Sequence, residues 1–359
     1  MAKKPNNITP WEVTGEIDYN NLIDRFGTKH LTPDILQRME NHAGESHYML
    51  RRGVFYSHRD MDAILDHFDS GGDFALYTGR GPSGPVHIGH LVPWVFTKHL
   101  QDVYGCKLVF QFTDDEKMLI REDYDAEDTW HWVYENALDL MALGFDPEKT
   151  EFIVDMKHSS KLFPIALKVA KRITGSTMRA VFGFGEDSNL GIIYFPTMQI
   201  APCFYESERR GEPVPCLIPA GIDQDPYWRL TRDTASKLGY PKPAQIHNRM
   251  LPGLTGDAKM SSSQAETAIY TVDAPEVVEK KILEAFTPED RVNCPMFLFH
   301  YFLLTESDIE VEKLHYNCTV NGKSCIECKM ELTERVNRFL GTHRRRRRQM
   351  RSRVEGMLE

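Results

Sequence analysis

From Asp73 onward, short apolar runs alternate with helical patterns, and this alternation constrains the fold more than any other feature of the chain. DFALYTG (73–79) is apolar enough for a buried strand. HLVPWVFTKHLQDVYG (90–105) has helical spacing and stops at a glycine. KLVFQFTDDE (107–116) is a second strand closing on acids, DTWHWVYENALDLMALGF (128–145) a second helix, and EFIVDM (151–156) a third strand. PCLIPAGIDQD (215–225) repeats the strand pattern and again ends in polar residues. Strands alternating with helices imply a parallel sheet with right-handed crossovers. In such sheets the site lies beyond the carboxyl ends of the strands. Those ends carry Tyr77 to Arg80, Gln111 to Asp115, Asp155, and Asp223 to Asp225.

The flanks read differently. Residues 1–70 form a mixed appendage: PWEVTGEIDYNNLIDRF begins extended and turns helical, and two helical patterns follow, capped by Thr32 and by Ser57. Gly71-Gly72 marks the boundary, residues 71–275 form the parallel-sheet domain, and 276–359 read as helices only. No stretch resembles a signal peptide or a membrane span, so a cytoplasmic protein is expected. The net charge of −9 argues against a wholly basic nucleic-acid surface, yet HRRRRRQMRSR at 343–353 holds seven arginines. That run reads either as a solvated helix face or as a phosphate-binding stripe.

Residues 78–90, TGRGPSGPVHIGH, hold two overlapping motifs. Gly79, Gly81 and Gly84 spell the G-x-G-x-x-G of a dinucleotide turn, which needs a helix starting inside it. Pro82 and Pro85 keep residues 81–86 extended or turned, so that match is coincidental. His87-Ile88-Gly89-His90 is different. A helix N-terminus attracts anions, two imidazoles three residues apart share one face, and the glycine lets a flat base approach. Some 170 positions on, Lys259-Met260-Ser261-Ser262-Ser263 sits in a glycine-rich loop. One ammonium on such a loop suits a pyrophosphate leaving group whose charge grows in the transition state. Either motif alone has a bland reading, as a capped core helix or a polar loop; the pair on one sheet points to ATP chemistry.

Together these motifs resemble those of the class I aminoacyl-tRNA synthetases. YTGRGPSG, HIGHLVPWVFTKHLQDV, QFTDDEK, FPTMQIAPCF, LIPAGIDQDPYWRLTRD and AKMSSS, with PWEV and RRGVFYSHRDMD before them, are similar to tryptophanyl-tRNA synthetases of the eukaryotic and archaeal type. The resemblance is dense over about 8–275. It implies a Rossmann-like catalytic domain, a helical anticodon-binding domain and a homodimer. It implies that tryptophan is activated by ATP with Mg²⁺ and transferred to tRNA-Trp. His87, His90 and Lys259 then serve catalysis, and Arg80, Gly89, Lys117, Met260, Ser261, Ser262 and Ser263 bind ATP. Tyr77 and Gln111 read the indole N–H, while Glu116, Gln199 and Gln224 hold the ammonium and carboxylate. The acid that a tyrosyl enzyme would turn on a phenol is not found. A small-molecule adenylyltransferase also uses an H-x-G-H helix start, and a non-catalytic tRNA-binding paralogue is a third reading. The paired loop disfavours the former and intact His87, His90 and Lys259 the latter.

Seven cysteines without a secretory context speak against structural disulfides. Cys106, Cys203 and Cys216 read as core thiols, but Cys294, Cys318, Cys325 and Cys328 are spaced C-x23-C-x6-C-x2-C. Free thiols are the bland alternative; four thiolates suit a [4Fe–4S] cluster or Zn²⁺, with His300 and His315 as substitute ligands. The segment resembles the cluster-bearing region of some bacterial tryptophanyl enzymes. A metal segment next to the arginine run implies that Arg344, Arg345, Arg346, Arg347 and Arg348 contact the tRNA backbone.

Overall fold

The computed structural model describes residues 7–8, 13–14, 17–120, 126–256, 259–260, 265–288, 291 and 294–359. Nine strands are present among them. β1 (Asn7–Ile8) and β2 (Val13–Thr14) pair with each other. β3 (Lys29–His30), β4 (Phe55–Arg59), β5 (Ala75–Arg80), β6 (Lys107–Phe112), β7 (Thr150–Val154), β8 (Cys216–Gly221) and β9 (Ala244–Asn248) form one sheet. Its order is β3-β4-β9-β8-β5-β6-β7, with β9 to β7 all parallel. The chain runs outward from β5 through β6 to β7, then returns to the other side of β5 for β8 and β9. The order therefore reverses between β5 and β8, where crossovers leave in opposite directions and open a crevice.

Strand periodicity divides the core. Leu76, Leu108, Phe110, Phe112, Phe152 and Val154 belong to one buried cluster, with the helix Ile88–Tyr104 and the C-terminal helices. The alternate residues Tyr77, Val109, Ile153 and Ile218 belong to a second, with the helices Ser159–Ala170, Leu190–Ile200 and Asp225–Leu238. Side chains two apart share a face, so a sheet apolar on both sides is covered on both.

The first seventy residues supply more than expected. Thr32 caps Pro33–Ala43 as read from the sequence, its hydroxyl accepting from the Ile35 amide at 3.3 Å. Ser57 is not a cap. It lies inside β4, fully buried, 2.9 Å from His247 Nδ1 on β9, and the next helix, Met61–Asp69, starts after Asp60. β3 and β4 are thus antiparallel additions to the sheet edge. β9 was equally invisible, because AQIHN is polar by composition although all five residues are buried.

Beyond residue 275 the described residues are helical: Pro275–Glu284, Pro295–Phe299 running on into a π turn at His300–Leu304, Asp308–Thr319, and the terminal helix Cys325–Leu358. The terminal helix packs on the helix Ala126–Met141. At that contact the His343 Nε2 atom lies 2.8 Å from Asp139 Oδ1, and Arg347 Nη1 lies 2.6 Å from the same oxygen. Among the described residues no helix is long and apolar enough to cross a membrane.

Candidate active site

A cleft of about 360 Å³ opens outside the carboxyl ends of β5, β6 and β8. Tyr77, Arg80, His90, Gln111, Glu116, Lys117, Gln199, Gln224 and Lys259, all expected at a site, line it. His87, Gly89 and Met260 adjoin it, and Ser261 to Ser263 lie outside the described residues.

The mouth is built by the turn after β5. Residues 81–86 stay non-helical, as the two prolines require, and His87 is the N-cap of Ile88–Tyr104. The His87 amide donates to His90 Nδ1 at 3.2 Å, and the two rings stack with centroids 3.5 Å apart. Burial first, and then the charges of Arg80 and Lys259, hold both imidazoles well below their ordinary pKa. Both rings are therefore neutral, each with one N–H to give and one lone pair. His87 Nδ1 is buried with no hydrogen-bond partner among the described residues. A β-carbon on Gly89 would stand 3.0 Å from that atom, so only glycine leaves the ring its place. Gly79 is more constrained still, because a β-carbon there would come within 2.7 Å of the Gln111 carbonyl oxygen. Across the mouth, Lys259 Nζ rests 3.2 Å from Asp223 Oδ2, and the Met260 amide donates to the Leu251 carbonyl at 3.0 Å. The Arg80 guanidinium reaches the Gly84 and Pro85 carbonyls at 3.2 and 3.0 Å, which stiffens the turn.

The floor is apolar apart from one polar chain. Tyr77 meets Trp228 edge to face at 5.5 Å. Its hydroxyl lies 2.5 Å from Gln111 Oε1 and 2.8 Å from the Gln199 carbonyl oxygen. Gln111 Nε2 donates to both Asp155 oxygens, each at 2.8 Å. Burial, and next the charge of Asp115, push the Asp155 carboxyl well above its usual range; burial foremost raises Asp115 to about 7. Tyr227 and Trp228 carry no expected role in the sequence, and Asp115 and Asp155 stand there only as strand-end residues. The contact of Asp155 with Gln111 follows from the lateral pairing of β6 with β7, which sets Gln111 beside Ile153.

Residues 69–343 match the family model described as tRNA synthetases class I (W and Y). The chain is 46% identical to the tryptophan--tRNA ligase of Pyrobaculum aerophilum, covering 97% of this chain and 96% of that protein. It is 45% identical to that of Saccharolobus solfataricus, covering 95% and 92%. The tryptophanyl-tRNA synthetase of Encephalitozoon cuniculi, solved bound to tryptophan, superposes with a TM-score of 0.87 at 34% identity, covering 95% of this chain and 99% of that one.

The chain belongs to the tryptophanyl-tRNA synthetases.

In this synthetase the C-terminal features divide. Cys294, Cys318 and Cys328 surround a cavity of about 20 Å³ together with His300 and His315, while Cys325 is exposed and stands outside it. Burial, then the neighbouring cysteines, raise the Cys294 and Cys328 thiols, the latter to about 11. Among the described residues no three such groups converge closely enough to hold a metal ion. Cys106, Cys203 and Cys216 are buried, as core thiols should be. The arginine run sits in the terminal helix, where Arg345, Arg346 and Arg348 are exposed and Arg344 half-buried with a bond to the Asp273 carbonyl. Arg347 departs from the expected row: it is buried and paired with Glu135 and Asp139, so its charge is spent inside the protein.

Proposed function

We propose that this synthetase couples L-tryptophan to tRNA-Trp in two steps, through tryptophanyl-adenylate, with release of diphosphate and then AMP. The observation that carries the reading is the pairing of two features in one cleft. A hydrogen-bond acceptor pair, Gln111 Oε1 and the Tyr77 hydroxyl, lies at the apolar end, and two neutral imidazoles with the Lys259 ammonium lie at the mouth. Tryptophan enters indole first. A pocket shaped around its N–H leaves a buried acceptor unpaired when phenylalanine enters, which is the basis of discrimination. Glu116, Gln199 and Gln224, which line the same cleft, hold the ammonium and carboxylate.

The carboxylate then attacks the α-phosphorus of ATP, a step governed by positioning and charge neutralisation. His87 and His90 donate N–H groups to phosphate oxygens. They can do so without protonation, so their depressed pKa is no handicap. Gly89 makes room for the adenine, and Arg80 and Lys117 add positive charge. Lys259 exchanges Asp223 for the β- and γ-phosphates as charge accumulates on the leaving group, with Met260 and Ser261 to Ser263 shaping its loop. Mg²⁺ accompanies ATP. The exposed Arg345, Arg346 and Arg348, with Arg344, lie against the tRNA backbone, and two copies of the chain form the working dimer. Amino-acid-dependent ATP–diphosphate exchange over a panel of amino acids tests the reading. Exchange with tryptophan alone is the expected result; exchange with tyrosine instead, or none, overturns it.

The four cysteines are proposed to hold a [4Fe–4S] cluster, or failing that Zn²⁺, as a structural element. Support comes from three sulfurs around one cavity, where burial and then the neighbouring sulfurs raise the Cys294 and Cys328 thiols, a penalty on the thiolates that a bound cation would relieve. Cys325 would have to turn inward to complete the set. Iron, sulfide and zinc analysis of protein purified without oxygen decides it.

A further inference from the structure

Gln111 can meet tryptophan in two ways that differ only in which end of its amide faces the cleft. With the oxygen forward it accepts the indole N–H; with the nitrogen forward it opposes one donor with another. An amide has no intrinsic preference between these, so the surroundings must choose. Three neighbours do. Both Asp155 oxygens stand 2.8 Å from Nε2, the Met198 carbonyl lies 3.3 Å from the same atom, and the Tyr77 hydroxyl lies 2.5 Å from Oε1. Of these, the Tyr77 hydroxyl can rotate to donate to the Gln199 carbonyl instead, at 2.8 Å, and so tolerates either end. The Met198 contact is the longest. Asp155 is 1% exposed on the strand end next to β6 and offers acceptors only.

We propose that Asp155 is a positioning residue for amino-acid selection: it locks the Gln111 carboxamide with its oxygen toward the indole N–H. The proposal rests on the reading of Tyr77 and Gln111 as the indole-binding pair. Asp155 itself stays behind Gln111, as the cleft lining includes Gln111 and not Asp155. Asp115 lies near enough to raise Asp155 further, and the raised pKa of both groups lets one proton be shared between them in place of two buried charges.

The test compares tryptophan with β-(benzo[b]thien-3-yl)alanine, which has the same shape but sulfur in place of the N–H. kcat/KM in ATP–diphosphate exchange is measured for both substrates in the wild type, D155L, D155A and D155N. The wild type prefers tryptophan. In D155L and D155A only the long Met198 contact still holds the amide nitrogen back, and the preference falls at least tenfold, through a rise in the KM for tryptophan. The KM for the thienyl analogue stays within about twofold, because that substrate never used the oxygen. D155N keeps an acceptor for Gln111 and can donate its own amide to Asp115, so it retains the preference. A structural defect would weaken both substrates together. A wild-type ratio preserved in a folded D155L or D155A overturns the proposal, as does D155N behaving like the apolar variants. If the wild type itself does not exchange with tryptophan, the indole-binding reading fails before Asp155 is tested. Melting curves establish which variants fold, and D155A, the less crowded change, remains decisive if D155L does not.

Discussion

Replacing Arg347 by alanine separates the structural from the surface arginines of the terminal helix. Arg347 is 8% exposed, pairs with Glu135, and brings Nη1 within 2.6 Å of Asp139, itself 1% exposed. Truncating one partner of a buried ion pair costs about 3–5 kcal/mol when the other charge is left alone. Here Asp139 is not left alone, because His343 Nε2 remains 2.8 Å from the same oxygen. The loss therefore falls below that range, at about 2–3 kcal/mol. For a chain of this size, that lowers the melting temperature by roughly 3–4 °C. Arg346→Ala, on an exposed side chain of the same helix, shifts melting by less than about 1 °C. It reduces tRNA affinity instead, and flattens the slope of log affinity against log salt by about one unit. The assay is differential scanning fluorimetry alongside tRNA filter binding across a salt series. The reasoning is refuted if Arg347→Ala melts like the wild type while losing as much tRNA affinity as Arg346→Ala.

Three further outcomes are expected. Lys259→Ala lowers the rate of diphosphate exchange about 10²–10³-fold while leaving tryptophan binding by fluorescence titration within twofold, since its charge is needed as the leaving group forms. Gly89→Ala places a methyl 3.0 Å from His87 Nδ1 and raises the KM for ATP about tenfold or more with little change for tryptophan, as steady-state exchange will show. Stability falls as the pH drops below about 6.5, because burial holds His247 at about 3 and His300 at about 4, so the unfolded chain takes up protons that these folded rings refuse. Asp115, raised to about 7, acts in the opposite sense between pH 7 and 4, where the folded state holds the extra proton. Urea titrations across that range will show a shallower slope in His247→Asn than in the wild type.

What the sequence disclosed and what it hid follow from one distinction. β5, β6, β7 and β8 were legible because burial on both faces writes an apolar run into a few consecutive residues. The mouth was legible because Pro82, Pro85 and the His87–Gly89–His90 spacing act locally. β4 and β9 were hidden because they are buried with polar side chains that satisfy each other sideways: Ser57 with His247, and His247 Nε2 with Gln245 Oε1 at 3.3 Å. No local pattern distinguishes such a strand from a loop. Asp155 was noticed only as a strand end, since its bond to Gln111 spans forty-four positions. Arg347 looked like its four neighbours because a run of identical residues does not say which face a helix turns inward.

The terminal helix carries Cys325 and Cys328 in its first turn, the arginines in its middle, and Leu358, held by Lys157, at its end. Thirty-four residues without a proline make a rod of about 50 Å. A loop of the same length could gain or lose a residue and adjust. A rod cannot, because one inserted residue advances everything beyond it by about 1.5 Å and turns it by about 100°. Placed between Cys328 and His343, such an insertion would swing His343 and Arg347 off Asp139, or else twist the cysteines away from their cavity. The length of this helix is thus a matter of phase: the cysteine end and the Asp139 contact stay in register only at the present number of residues between them.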